Sequence, residues 1–206
     1  MDFSLLLKRV LCLFQNLKQN PNVEKAASEA PAQETNKPKE VLNMIYASRF
    51  TTEEKTALKQ LQTDFSWNDD QLNFLIACMA FESNLNPQAK NKTSGAVGLI
   101  QFMPNICKAY GTTADEMLKR SFVEQLPYVK KHFTPYYKRT KTLSDMYMAI
   151  LMPKYIGFAD DYVIFHEGAK YEQNKGLDQN KDHYITKAEA CRYVFNRYAE
   201  GLKDVD

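Results

Sequence analysis

The sequence predicts a mostly α-helical domain running from about residue 41 to the C-terminus. Three observations point there. Helix-capping residues repeatedly precede apolar residues at helical spacing, alternating strand patterns are scarce, and only seven glycines serve the turns in 206 residues. Thr51-Thr52-Glu53-Glu54 carries capping chemistry, with Leu58 and Leu61 following on one face. Asn68-Asp69-Asp70 opens a second helix, suited to the cap and to the positive end of the dipole. Its apolar residues include Leu72, Leu75, Ile76 and Met79. Further helices are expected near 103–109, 113–132, 142–152, 158–169 and 187–200, and a short strand or hairpin fits residues 94–101.

Composition bounds the function. Hydrophobic residues are 44% and charged residues 25%, the balance of a soluble globular protein, and 206 residues suffice for one ordinary domain or one domain with a small appendage. No apolar run approaches the roughly 18 residues that span a bilayer. Lys+Arg 27 against Asp+Glu 25 leaves +2, which is not the footprint of a nucleic-acid binder. The cysteines at 12, 78, 107 and 191 have no C-x-x-C spacing, so no zinc ribbon or redox motif is read, and Cys78 reads as a small buried hydrophobe. The histidines at 132, 166 and 183 are too dispersed for a zinc site.

Residues 1–17 read as an amphipathic helix, with Phe3, Leu6, Leu7, Val10, Phe14 and Leu17 at helical spacing. It suits packing on the domain or a partner, or an interfacial membrane position. Asp2 and Lys8-Arg9 spoil a secretory signal peptide, so synthesis in the cytoplasm without one is expected. Residues 18–40, with Pro21, Pro31 and Pro38 and no aromatic residue, read as a flexible linker.

The chemistry concentrates in residues 81–104. Glu82 follows Leu75 by seven residues and Met79 by three, so it continues the apolar stripe of its helix, and Pro87 is expected to stop that helix. A carboxyl at such a place resists ionisation, which suits a general acid at neutral pH. A glutamate paired with an arginine, or capping a neighbour, fits the same position. Ser94-Gly95-Ala96-Val97-Gly98 lets backbone come close to another chain or a ligand. Gln101, polar within an apolar run, either satisfies a buried backbone group or faces a cleft.

Glu82-Ser83, a spacer, then Ser94-Gly95-Ala96-Val97-Gly98-Leu99-Ile100-Gln101 with Met103-Pro104 resembles the signature of lytic transglycosylases with a goose-type lysozyme-like fold, glycoside hydrolase family 23 and its relatives. The resemblance covers about 25 residues and implies a lysozyme-like helical domain that cleaves the MurNAc–GlcNAc β-1,4 bond of peptidoglycan glycan strands. It makes Glu82 the single acid/base. Ser83 and Gln101 become cleft residues, and the stretch from Ser94 through Gly95 to Gly98 part of the sugar groove. Protonated Glu82 would donate to the glycosidic oxygen. The resulting carboxylate would take the proton of the muramic C6 hydroxyl, which attacks C1 and leaves a 1,6-anhydro end. No cofactor is required. No acidic residue lies between Glu82 and Pro104, although Asp115, Glu116, Asp145, Asp160 or Asp161 could be brought in by the fold to serve a hydrolytic muramidase. The family's Ala-Tyr-Asn-like third motif is missing, and Tyr147 or Tyr155 is the candidate for its cleft tyrosine. That departure fits a phage or secreted-effector type. Such an enzyme would reach the cell wall by phage lysis or a secretion system, with residues 1–17 as the membrane or partner element. A catalytically inert glycan-binding, virion or secretion-machine component is the other class of reading.

Residues 178–189 resemble an EF-hand loop. Asp178, Asn180 and Asp182 stand at positions 1, 3 and 5, the Tyr184 carbonyl at 7 and Glu189 at 12, which are donors for a structural Ca²⁺. His183 stands where such loops need glycine. The same residues also read as a solvated turn feeding a helix capped by Thr186 and Glu189.

Overall fold

The computed structural model describes residues 43–205. The helix expected over 1–17 and the linker expected over 18–40 lie outside the described residues. Helices dominate: α1 (Thr52–Phe65), α2 (Asp69–Ser83), α3 (Pro104–Ala109), α4 (Ala114–Met117), α5 (Phe122–Phe133), α6 (Leu143–Leu151), α7 (Gly168–Asn174) and α8 (Lys187–Gly201). Thr51, Asn68, Thr113, Ser121 and Thr186 each close a capping box over the helix that follows. Each box satisfies orphan N–H groups at a helix start, which is why these sequence signals place helix starts well.

Helix α2 is the axis of the core. It packs on α6 and α8, which also pack on each other, while α1 lies on α5. Leu72 and every residue from Asn73 to Ala80 are buried. The helix is therefore enclosed all round rather than striped. Asn73 is the polar exception, and its amide is spent on the Ile45 N–H and the Asn43 carbonyl.

Two helix expectations need correction. The stretch 113–132 is two helices, because Ser121 caps a fresh one after the turn at Leu118–Arg120. Residues 158–169 do not form a helix. Gly157 adopts a left-handed φ of 86°, and Val163–Phe165 form β1, which pairs antiparallel with β2 (Ile185–Thr186). The β-branched pair Val163-Ile164 suits that strand. A buried ion pair fixes the route of the loop. Lys187 Nζ lies 2.7 Å from Asp145 Oδ1 and donates to the Phe158 carbonyl at 2.8 Å, while the Gly157 N–H also donates to Asp145 Oδ1. These three bonds hold the chain away from a helical path.

The Gly-rich stretch is not a regular hairpin. It is a tight loop with isolated bridges Lys90–Val97 and Val97–Phe102. None of the described helices is long and apolar enough to cross a membrane.

Candidate active site

Glu82 occupies the last turn of α2. Pro87 does not end this helix. Asn84 does so earlier, turning left-handed at φ 53° with its N–H on the Ala80 carbonyl. Arg49 secures that turn by donating to the Asn84 carbonyl at 2.7 Å and to its side-chain oxygen at 3.2 Å. The arginine thus serves the helix end rather than the acid. Among the described residues Glu82 has no ion-pair or hydrogen-bond partner. Burial alone raises its pKa from 4.5 to about 7, since the apolar surroundings disfavour the charged form. Such a carboxyl is about half protonated at neutral pH.

The groups that feel the Glu82 charge lie on α2 and α6. Tyr147 on α6 is buried, and its pKa rises well above the ordinary value, first through burial and then through the Glu82 charge. Its ring meets Phe81 edge-on at 5.6 Å. Cys78, one turn before Glu82, is likewise pushed up by burial and by Glu82. Tyr147 is thus brought beside the acid. Tyr155 is not: its hydroxyl donates to the Ile164 carbonyl, and its ring packs with Phe158 and Tyr162.

The Gly-rich loop is bolted to the same helix end. Ser83 Oγ lies 2.9 Å from the Met79 carbonyl and 3.0 Å from the Leu99 carbonyl. Ser83 is buried, and its hydroxyl proton serves these backbone acceptors. Ser94 is exposed, and its Oγ accepts from the Ala96 N–H. Gly95 and Gly98 take φ of 74° and 77°, a region that favours glycine. Gln101 is half-buried, and its Nε2 donates back to the Gly98 carbonyl at 3.1 Å. Of the two readings of that glutamine, satisfaction of backbone is the one its hydrogen bond follows.

Gln125 on α5 escaped sequence reasoning. It is fully buried, its Oε1 accepts from the Leu99 N–H at 2.9 Å, and its Nε2 donates to the carbonyls of Pro87 (2.7 Å) and Met117 (3.1 Å). A Cβ on Gly98 would collide with its Oε1. The signal was present: Phe122, Gln125, Leu126, Val129 and Phe133 form one helical stripe, and Gln125 is the polar member of it.

The carboxylates considered as partners are occupied elsewhere. Glu116 closes a capping box, Asp115 lies 3.5 Å from Lys90, and Asp145 is paired with Lys187, with Asp160 4.0 Å from the same Lys187 nitrogen. None of these, nor Asp161, contributes to the raised pKa of Glu82. An open concavity lined by Lys59, Gln62, Trp67 and Asp70 sits at the α1–α2 turn. That is the far end of α2 from Glu82, about 20 Å along the helix at 1.5 Å per residue.

The acidic loop has part of the geometry its sequence suggests. Lys181 and His183 are left-handed, at φ 60° and 70°, so His183 does take the conformation usually given to glycine. The carboxylates, however, are turned onto their own neighbourhood. Asp178 accepts from the Lys181 and His183 N–H groups and from the Tyr171 hydroxyl, Asp182 accepts from the Asn180 amide and the Tyr184 N–H, and Glu189 caps Thr186. Among the described residues no group of three or more His, Cys, Asp or Glu is gathered to hold a metal ion.

Among curated proteins none matches the chain. Residues 66–125, which carry Glu82, the Gly-rich loop and Gln125, match the family model for the transglycosylase SLT domain, and over that stretch the chain is similar to lytic transglycosylases of lysozyme-like fold acting on peptidoglycan.

Proposed function

We propose that this protein is a peptidoglycan lytic transglycosylase that cleaves the MurNAc–GlcNAc β-1,4 bond with Glu82 as its one acid/base. The carrying observation is a half-buried carboxyl near pKa 7, beside the Gly-rich loop, that no second carboxylate influences. Protonated Glu82 donates to the bridging oxygen as the bond to C1 breaks. The substrate's own N-acetyl group stabilises the positive charge that develops. The glutamate carboxylate then accepts the proton of the C6 hydroxyl as that oxygen bonds to C1. Glu82 ends protonated again, and the product is a 1,6-anhydro sugar.

A hydrolysing pair would place a second carboxyl on the opposite face of the sugar, roughly 5–9.5 Å from the first. The engaged carboxylates of Asp145 and Glu116 favour the single-acid route. Incubating purified protein with peptidoglycan and weighing the soluble sugars separates the readings. Anhydro-muropeptides are expected, reducing ends would mean a muramidase, and no release would leave an inert glycan-binding component. The reaction puts the working enzyme at the cell wall, with phage lysis or a secretion system as the proposed routes.

A structural Ca²⁺ in the 178–189 loop is the second part of the proposal, favoured by the left-handed backbone at His183. The carboxylates of Asp178, Asp182 and Glu189 would have to rotate from their present partners, so weak binding is expected, with a Kd of about 10⁻⁴–10⁻³ M. Calorimetric titration with CaCl₂ checks it, with a rise in Tm that Asp178→Ala removes. Equal melting in Ca²⁺ and in chelator would end the idea.

A further inference from the structure

We infer that His132 on α5 is a positioning residue which, as a neutral imidazole, clasps α6 with its Tyr147 in place and so gives the reaction an acid limb. This rests on the glycan-cleaving reading above and adds a residue outside the 66–125 match. The His132 Nε2 lies 2.9 Å from the Ala149 carbonyl on α6, two residues beyond Tyr147. A carbonyl only accepts, so Nε2 carries the proton. The bond meets a specific need. A continuing helix would satisfy the Ala149 carbonyl with the N–H of residue 153, but that residue is a proline and has none. His132 supplies the donor that the end of α6 lacks.

Nδ1 is then the acceptor, and the Tyr110 hydroxyl, 3.3 Å away, donates to it. Gln125 stands seven residues earlier on the same helix and holds the Leu99 N–H of the Gly-rich loop. Helix α5 thus grips the loop through Gln125 and α6 through His132, two turns apart. Nothing around the imidazole favours a charge on it. Phe102 and Tyr110 face it from the loop and the end of α3, and Phe133 and Tyr136 from α5 and the turn after it. Lys131 lies 5.0 Å above the Tyr110 ring. The one carboxylate of α6, Asp145, is bonded to Lys187. Among the described residues no carboxylate acts on the imidazole, and burial outweighs the Ala149 carbonyl in holding its pKa below 6.5. A proton arriving at Nδ1 displaces the Tyr110 donor and strands a charge among aromatic rings, which gains water only if α5 and α6 part. The clasp is therefore closed at neutral pH and gives way as pH falls through the lowered pKa. Glu82 does not supply such a limb, because acid pH leaves it in the protonated form that the first step needs.

The test follows anhydro-sugar release by the wild type, His132→Gln and His132→Phe from about pH 8 down to about pH 4, a range that spans histidine titration. Glutamine keeps an N–H donor near the Nε2 position and does not titrate, whereas phenylalanine fills the ring's space and leaves the Ala149 carbonyl bare. Near neutrality, at about pH 7, His132→Phe is expected to lose about tenfold in kcat, as a displaced helix costs alignment, and His132→Gln to regain most of it. Below pH 6.5 the wild type should lose rate while His132→Gln holds it. Nitrogen-15 NMR of the wild type should show His132 as the Nε2–H tautomer, with a titration midpoint that matches the acid limb. An active wild type whose acid limb persists in His132→Gln, or whose ring is the other tautomer, overturns the clasp and leaves the enzymatic reading intact. Should the glutamine variant not fold, a mismatch between the NMR midpoint and the limb overturns the clasp by itself. A wild type that releases no sugar at any pH overturns both.

Discussion

Replacing Glu82 with glutamine is expected to lower the release of anhydro sugars by about a thousandfold or more, within the range of a lost general acid/base. Glutamine keeps the shape of the side chain but neither donates as an acid nor accepts the C6 proton. The helical circular dichroism should be unaltered. Helix α2 is held by the Asn68–Gln71 capping box, the left-handed turn at Asn84 and burial from Leu72 to Ala80, none of which involves Glu82. A Glu82→Gln variant that keeps its rate would remove the catalytic assignment altogether.

The same substitution should change how stability responds to pH. The carboxyl moves from an ordinary 4.5 to about 7 on folding. Between those values the folded protein keeps a proton that the unfolded chain has released, so this group favours folding fully below pH 4.5. That contribution is lost as pH rises toward 7, up to about 3 kcal/mol in all. Glutamine carries no such dependence. The variant should therefore melt progressively higher than the wild type as pH is raised from 5 to 8, and a constant Tm difference would contradict the raised pKa of Glu82. Activity follows the same ionisation: kcat/KM should fall above about pH 7, as the proton needed by the leaving oxygen is lost.

Much of this site was legible because local chemistry and tertiary need coincide. Thr51, Asn68 and Thr186 cap where their sequence neighbourhoods say they should, since a capping box is closed within four residues. Glu82 could be singled out because a carboxyl at the end of an apolar run conflicts with its surroundings, and such conflicts gather at functional sites. The rest depended on partners far apart in sequence. Residues 158–169 look helical until Lys187 and Asp145 pin Phe158 and Gly157. The hold of Ser83 on the loop could not be read either, because its acceptor, the Leu99 carbonyl, lies 16 residues on.

Gln125→Ala is expected to be the costliest change outside the acid. It would leave the buried Leu99 N–H and the Pro87 and Met117 carbonyls without their side-chain partner, at about 3 kcal/mol in total. Thermal or urea melting measures that loss. Its effect on catalysis follows from Leu99, which is held at both ends: Gln125 holds its N–H and Ser83 holds its carbonyl. Ser83 is the neighbour of Glu82, so two hydrogen bonds connect α5 to the residue beside the acid. Freeing one end should let the loop carrying Gly98 and Gln101 drift from Glu82, and sugar release should fall even at temperatures where the variant stays folded. Gly98→Ala attacks the same joint from the other side. Its new methyl would strike Gln125 Oε1 while sitting at a φ of 77°, where alanine is strained. If Gly98→Ala and Gln125→Ala act through one joint, the double variant should lose less stability than the sum of the two single losses. Additive losses would mean that Gln125 and the glycine loop are held independently, and that the path from α5 to Glu82 runs elsewhere.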